Sequence, residues 1–317
     1  MSLPEPDRVY RIAGHQLELS VLELGPIAPP CVVMLHGLRD SAHSLLPVAQ
    51  MISQSGAGLR VLLADLRGHG HSEVAQAYGM PEYLLDLLAV VEHGCNSSSQ
   101  ARVALFGHSL GGQIASRFSA LFPEKVSALI MVEGMGPPKR PNEGDPAQEL
   151  ISYRTSLLQR GALKRGGGRP LNDHADATAR LLRNNPRLAT DLAEHIARHL
   201  TTTINNQLHW NFDPQARNVF LGVNTADNTK YWQQLKAPTC IISGTLSYQY
   251  WGRELAENGF TGHFAEGEME QRAALIPNHE HHWFDQSGHM VHYDEPERLG
   301  EVSSLFLKHC LQEQHDE

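Results

Sequence analysis

Ser109 stands in Leu105-Phe106-Gly107-His108-Ser109-Leu110-Gly111-Gly112, between an apolar run and a helix-forming one. A serine hydroxyl is a weak nucleophile until a base takes its proton, and G-x-S-x-G suits a sharp strand-to-helix turn that lifts such a hydroxyl above a sheet edge. Gly107 and Gly111 supply the small positions where neighbouring backbone must approach. The amide of Leu110 then opens a helix and points at the charge that develops on a tetrahedral intermediate. A second amide is expected from His36-Gly37-Leu38, after an earlier apolar run, with Leu38 as the donor. Leu38 and Leu110 together make the expected oxyanion hole. The implied chemistry is acyl transfer, which still requires a base and an acid. With nineteen histidines in the chain, position rather than residue type must identify the base.

Those groups need a scaffold, and the apolar pattern indicates which. Val9–Ile12 and Gln16–Leu24 read as a hairpin, and Pro30–Leu35, Leu59–Ala64, Val103–Phe106 and Ala128–Val132 as buried strands. Helical spacing separates them at Ser41–Ser53, Pro81–His93 and Gln113–Leu121. Strands alternating with helices predict an α/β fold, a mostly parallel sheet with helices on both faces. The rhythm stops at Pro137. From there to Thr229 the sequence predicts helices at Ala147–Arg160, Ala175–Arg183 and Arg187–Leu200, broken by Gly166-Gly167-Gly168 and Asn184-Asn185-Pro186, and no buried strand. Residues 137–229 therefore read as a helical cap inserted between core segments 1–136 and 230–317. The sheet resumes at Pro238–Gly244 and His281–Phe284, and Pro296–Leu311 closes the chain as a helix.

With its strand context, the motif set resembles the α/β-hydrolase superfamily over nearly the whole chain. His36-Gly37 follows the third strand, Asp65-Leu66-Arg67-Gly68-His69-Gly70-His71-Ser72 the fourth, the Ser109 motif the fifth, and a late Gly288-His289 the last. The resemblance implies an eight-stranded sheet and a Ser-His-acid triad. It selects His289 as the base, because Gly288-His289 precedes a hydrophobic residue and Glu295-Pro296; His292, three residues on, is the alternative. Most relatives carry an aspartate just past the seventh strand. Here that stretch is Gly244-Thr245-Leu246-Ser247, and serine cannot hold the charge that balances an imidazolium. Glu133, after the sixth strand, is the expected substitute, as in some haloalkane dehalogenases and in the serine hydrolase-like subgroup. Otherwise Glu133 merely ends a strand and binds a backbone amide or a cap arginine.

The expectation is a serine hydrolase that cleaves a carboxylic ester, thioester or lactone through an acyl-enzyme on Ser109. A catalytically weak ligand-binding member, suggested by Ser247, and a C–C bond hydrolase are the alternatives. His36, Gly37, His108 and Trp210 are candidates for lining the substrate pocket, and Trp232 and Trp251 could join them. Between Lys139 and Arg217 twelve Lys and Arg face eight acids, although the chain carries −9 overall. The cap could thus attract anionic substrates, or simply dock on a negative core. His279, His281 and His282 read as edge-strand residues rather than metal ligands; no metal and no cofactor is expected. His69 and His71 read as structural. The negative charge argues against nucleic acid. Four cysteines without CxxC spacing read as reduced thiols, and with no signal-like or membrane-length apolar run the expected setting is cytoplasmic.

Overall fold

A computed structural model describes residues 5–27, 30–95, 101–140, 143–161, 163, 169–221, 225–255 and 260–316. Its strands are β1 (Arg8–Ala13), β2 (Glu18–Leu24), β3 (Cys31–Leu35), β4 (Arg60–Ala64), β5 (Val103–His108), β6 (Val126–Val132), β7 (Thr201–Ile204), β8 (Gln207–Trp210), β9 (Thr239–Gly244) and β10 (His279–Phe284). Eight of them form one sheet in the order β1-β2-β4-β3-β5-β6-β9-β10. The β1–β2 and β2–β4 pairs are antiparallel and every later pair is parallel.

The continuous apolar strands have a simple cause, since both sheet faces are covered. Val33 and Leu35 of β3 and Val103 and Leu105 of β5 enter one core layer. Val32, Met34, Ala104 and Phe106 enter the other. That is the period-two alternation of a strand, with both faces apolar because neither meets water. Helices α1 (Leu46–Ser53), α2 (Met80–Gly94) and α3 (Leu110–Leu121) pack on these faces, α2 and α3 on the first layer and α1 on the second. Cys31, Cys95, Cys240 and Cys310 are buried and not joined in disulfides.

The insertion contains α4 (Pro146–Gly161), α5 (His174–Asn184) and α6 (Thr190–His199), close to the expected helices. Gly166-Gly167-Gly168 lie outside the described residues. Leu171, Leu181, Leu192 and Ile196 give the insertion a small core of its own, which includes Tyr293 from the far end of the chain. The expectation of an all-helical cap needs correction, because β7 and β8 pair as an antiparallel hairpin there. Thr201-Thr202-Thr203-Ile204 is β-branched, and Asn205 and Asn206 turn it with φ of 50° and 60°. Asparagine tolerates that left-handed backbone, which a two-residue hairpin turn demands. At four residues and half buried, the strand lacks the long apolar run by which the core strands are recognised. The chain returns to the core through α7 (Thr229–Trp232), α8 (Tyr248–Glu254), α9 (Glu268–Ala273), α10 (Val291–Asp294) and α11 (Pro296–Asp316). Among the described residues no helix is long and apolar enough to cross a membrane.

Candidate active site

Strand β5 ends at His108 and α3 begins at Leu110, leaving Ser109 alone on the turn with φ 52° and ψ −114°. Few L-residues adopt that conformation, and such strain collects at sites where geometry outranks comfort. Two glycines make the turn possible. A Cβ on Gly107 would collide with the Gly111 carbonyl group, and one on Gly111 with the carbonyls of Leu35 and His36. The Ser109 amide donates to the Val132 carbonyl at 2.9 Å, tying the turn to the next strand.

Three distant side chains meet there. His289 Nε2 lies 2.9 Å from Ser109 Oγ, and His289 Nδ1 lies 2.9 Å from Glu133 Oε2. His289 and Glu133 are only 3% and 9% exposed, so the contact is shielded from water. Glu133 also has a positive φ of 52°, its backbone amide donates to Ile242, and its other carboxylate oxygen accepts from the Gly244 amide at 2.8 Å. Strand β9 therefore contributes a backbone donor that aims the β6 carboxylate, and no acid of its own. Ser247, where relatives carry the acid, is buried with no hydrogen-bond partner for its hydroxyl.

The expected oxyanion donors lie on the two segments that flank the serine. Leu110 is the first residue of α3 and fully buried. The Gly37 backbone, just before Leu38, passes so close that an added Cβ would sit 3.2 Å from Ser109 Cβ. His36 is wholly buried. Its Nδ1 meets the Gly37 carbonyl at 2.7 Å and its Nε2 accepts from the Leu66 amide at 3.0 Å. The ring holds the loop and offers a substrate no nitrogen. His108 is also buried, with Nε2 2.8 Å from the His289 carbonyl, so it bears on His289 through the backbone. Burial, reinforced by His292 and His289, holds its pKa well below the usual imidazole value. Trp210 packs on the insertion's core with Leu208 and Met290, and Trp232 is 1% exposed inside the sheet layer.

His292 is committed elsewhere, with Nε2 3.1 Å from Asp40 Oδ2. Asp40 also accepts from the Ser41 amide, Ser44 Oγ and Tyr293 Oη. Burial alone would raise the Asp40 carboxyl, but the hydrogen bond and charge of His292 hold it far below the usual range. This knot fastens the loop after β3 to α10, immediately beyond His289. Sequence reasoning missed it, and missed Tyr250, whose ring stacks on His289 at 4.1 Å and 17°. Trp251 meets the same imidazole edge-on at 4.8 Å. An aromatic pair three to four residues past Ser247 is the signal that could have pointed there. His279, His281 and His282 lie on the edge strand β10, bonded to the Ile276 carbonyl, Ser243 Oγ and Glu280 respectively. A cavity of about 220 Å³ has His289 and Tyr250 in its wall, with Arg183, Arg187 and Arg253 around it.

Comparison with known proteins agrees with this architecture. The chain is 23% identical to human serine hydrolase-like protein 2 over 90% of its own length and 88% of that protein's. Among solved structures, the thioesterase domain from the curacin biosynthetic pathway superposes with a TM-score of 0.75 at 20% identity, covering 93% of this chain and 98% of that one. E-2-(acetamidomethylene)succinate hydrolase superposes with a TM-score of 0.71 at 17% identity, covering 95% and 99%. Residues 30–296 match the family described as alpha/beta hydrolase fold. With that match spanning most of the chain, and with the eight-stranded sheet carrying Ser109 on its central turn, the protein belongs to the α/β hydrolase fold family.

Proposed function

We propose that this protein is a serine hydrolase that cleaves carboxylic esters, thioesters or lactones through an acyl-enzyme on Ser109. The single observation that carries the reading is the continuous Ser109–His289–Glu133 hydrogen-bond chain, each link 2.9 Å. The fold and the hydrolase names among its relatives support a hydrolase in general. Ser109 Oγ attacks the acyl carbon as its proton passes to His289 Nε2, and the carbonyl electrons move onto oxygen. The Leu38 and Leu110 amides receive that oxyanion, each such donor contributing about 3 kcal/mol to the barrier reduction. Glu133 keeps the imidazole in the tautomer with its proton on Nδ1 and balances the imidazolium. Collapse expels the alcohol or thiol, which takes the proton from Nε2. Water then attacks the acyl-enzyme with the same base, releasing the acid and restoring Ser109.

For the substrate, the cavity beside His289 favours molecules that carry a negative group. Arg187 is ion-paired with Asp294 at 2.9 Å, whereas Arg183 and Arg253 have no carboxylate within 4 Å among the described residues. The net positive lining supports an anionic acyl or leaving group there. The test is a panel of neutral and carboxylate-bearing esters, thioesters and lactones at low and high salt, together with labelling by a fluorophosphonate probe. Labelling and turnover should both vanish in Ser109→Ala, and salt should slow the anionic members selectively. A wild-type protein that resists the probe overturns the nucleophile assignment, while equal salt effects on all substrates remove the anionic preference alone.

A further inference from the structure

A histidine cluster lies apart from the serine, where the insertion meets the core. His195 and His199 stand four residues apart on α6, which puts both rings on one helix face. His43 faces them from the short helical turn Ala42–Leu45 of the core. One nitrogen from each ring falls within 4.8 Å of the other two. His43 and His199 stack with centroids 3.5 Å apart, His195 and His199 lie 4.7 Å apart, and His43 and His195 5.5 Å. None of the three rings has a carboxylate within ion-pair distance among the described residues.

Burial turns this cluster from a coincidence into a question. His43 and His195 are each 5% exposed, and His43 Nδ1 and His195 Nε2 are buried with no hydrogen-bond partner. A buried polar atom left unsatisfied is costly, and two of them in one spot call for an explanation. The other buried cluster, Asp40, His108 and His292, has one: its Asp40–His292 bond and the His108 link to the His289 carbonyl belong to the active-site scaffold. Among the described residues no hydrogen bond engages the rings of His43, His195 and His199, and His71 meets two of them only edge-on.

We propose that His43, His195 and His199 form a binding site for a borderline divalent transition metal, zinc above all, that pins the insertion to the core. Three neutral imidazoles are a donor set that suits zinc, cobalt, nickel and copper rather than magnesium or calcium. Zinc bound by three histidines keeps a fourth position for water, and half-exposed His199 leaves solvent a route to it. Zinc–nitrogen bonds of about 2.0–2.1 Å require the three nitrogens to draw closer than they stand here. The stacked His43 and His199 rings would have to turn about their side-chain torsions to close that gap. Because the turn carrying His43 follows Asp40, whose carboxylate fastens α10, occupancy would stiffen the joint between the insertion and the loops of the candidate active site.

The experiment uses the full chain freed of any histidine tag and stripped with a chelator, then titrated calorimetrically with Zn²⁺ and spectroscopically with Co²⁺. Expected are one ion per chain, the intense visible bands of four-coordinate cobalt, and a Tm raised by about 5 °C at saturating zinc. His199→Ala and His195→Ala should each weaken binding by roughly a hundredfold or more and abolish the Tm rise. The paired change His279→Ala and His282→Ala, on the exposed edge strand, should leave both intact. His199 is only half buried, so its variant keeps the test readable if His43→Ala fails to fold. Absence of saturable zinc binding, or binding unchanged in His199→Ala, overturns the site. Neither result bears on Ser109.

Discussion

Replacing Glu133 by glutamine tests the candidate triad at its least expected member. The Gly244 amide decides how the new side chain would sit. Glu133 Oε1 accepts from that amide at 2.8 Å while Oε2 faces His289 Nδ1 at 2.9 Å. A glutamine keeps its carbonyl oxygen toward Gly244, because the flipped amide would set two N–H groups against each other in a buried site. Its NH₂ then faces Nδ1, which must become an acceptor. The ring proton moves to Nε2 and meets Ser109 Oγ, where a base is needed. Loss of the right tautomer in a triad costs about 10⁴ in kcat, near 5.4 kcal/mol of barrier. The assay is steady-state hydrolysis of an activated ester, with thermal melting to show that the variant remains folded. KM should change little, and fluorophosphonate labelling should slow in step with kcat. A folded Glu133→Gln protein with kcat within tenfold of the parent would refute the reasoning.

Three more consequences are accessible to measurement. Asp40→Ala strips partners from His292 Nε2, Tyr293 Oη, Ser44 Oγ and the Ser41 amide at once, and should cost about 3–5 kcal/mol in urea unfolding; a loss below about 1 kcal/mol would mean the knot is not under load. Stability should also fall with acid. Burial, with His36 packed beside it, holds His69 down at about 3, so below about 6.5 the unfolded chain takes up a proton that the native ring refuses. This contribution is complete above that pH and declines by roughly 1.4 kcal/mol per pH unit as the pH drops toward 3, and His69→Asn should flatten the slope in denaturation series at several pH values. Gly111→Ala drives a methyl into the Leu35 and His36 carbonyls and should destabilise the protein by about 3 kcal/mol or more, checked by Tm; an unchanged melt would show that the turn has room.

How much of this the sequence determined follows from the range of each interaction. Core strands buried on both faces announce themselves as unbroken apolar runs, so β3, β4, β5, β6 and β9 were legible within a residue or two. Ser109 was legible because the turn that presents it needs glycines at fixed offsets, a local demand written into adjacent residues. The β7–β8 hairpin was not recognised, since four half-buried residues carry little pattern beyond their β-branching and their two asparagines. His289 and Glu133 could be proposed only from resemblance, because no local rule ties residue 133 to residue 289.

Tertiary structure decided the rest. The parallel pairing of β6 with β9 brings the Gly244 amide to Glu133, and the return of β10 beside β9 brings His289 between that carboxylate and the serine. The same packing spends both nitrogens of His36 on backbone, stacks Tyr250 on His289, and gathers His43 with His195 and His199. Each of these depends on which elements lie side by side. Periodicity fixes which face of a strand or helix is buried, but only the assembled sheet and the insertion resting on it fix what that face meets.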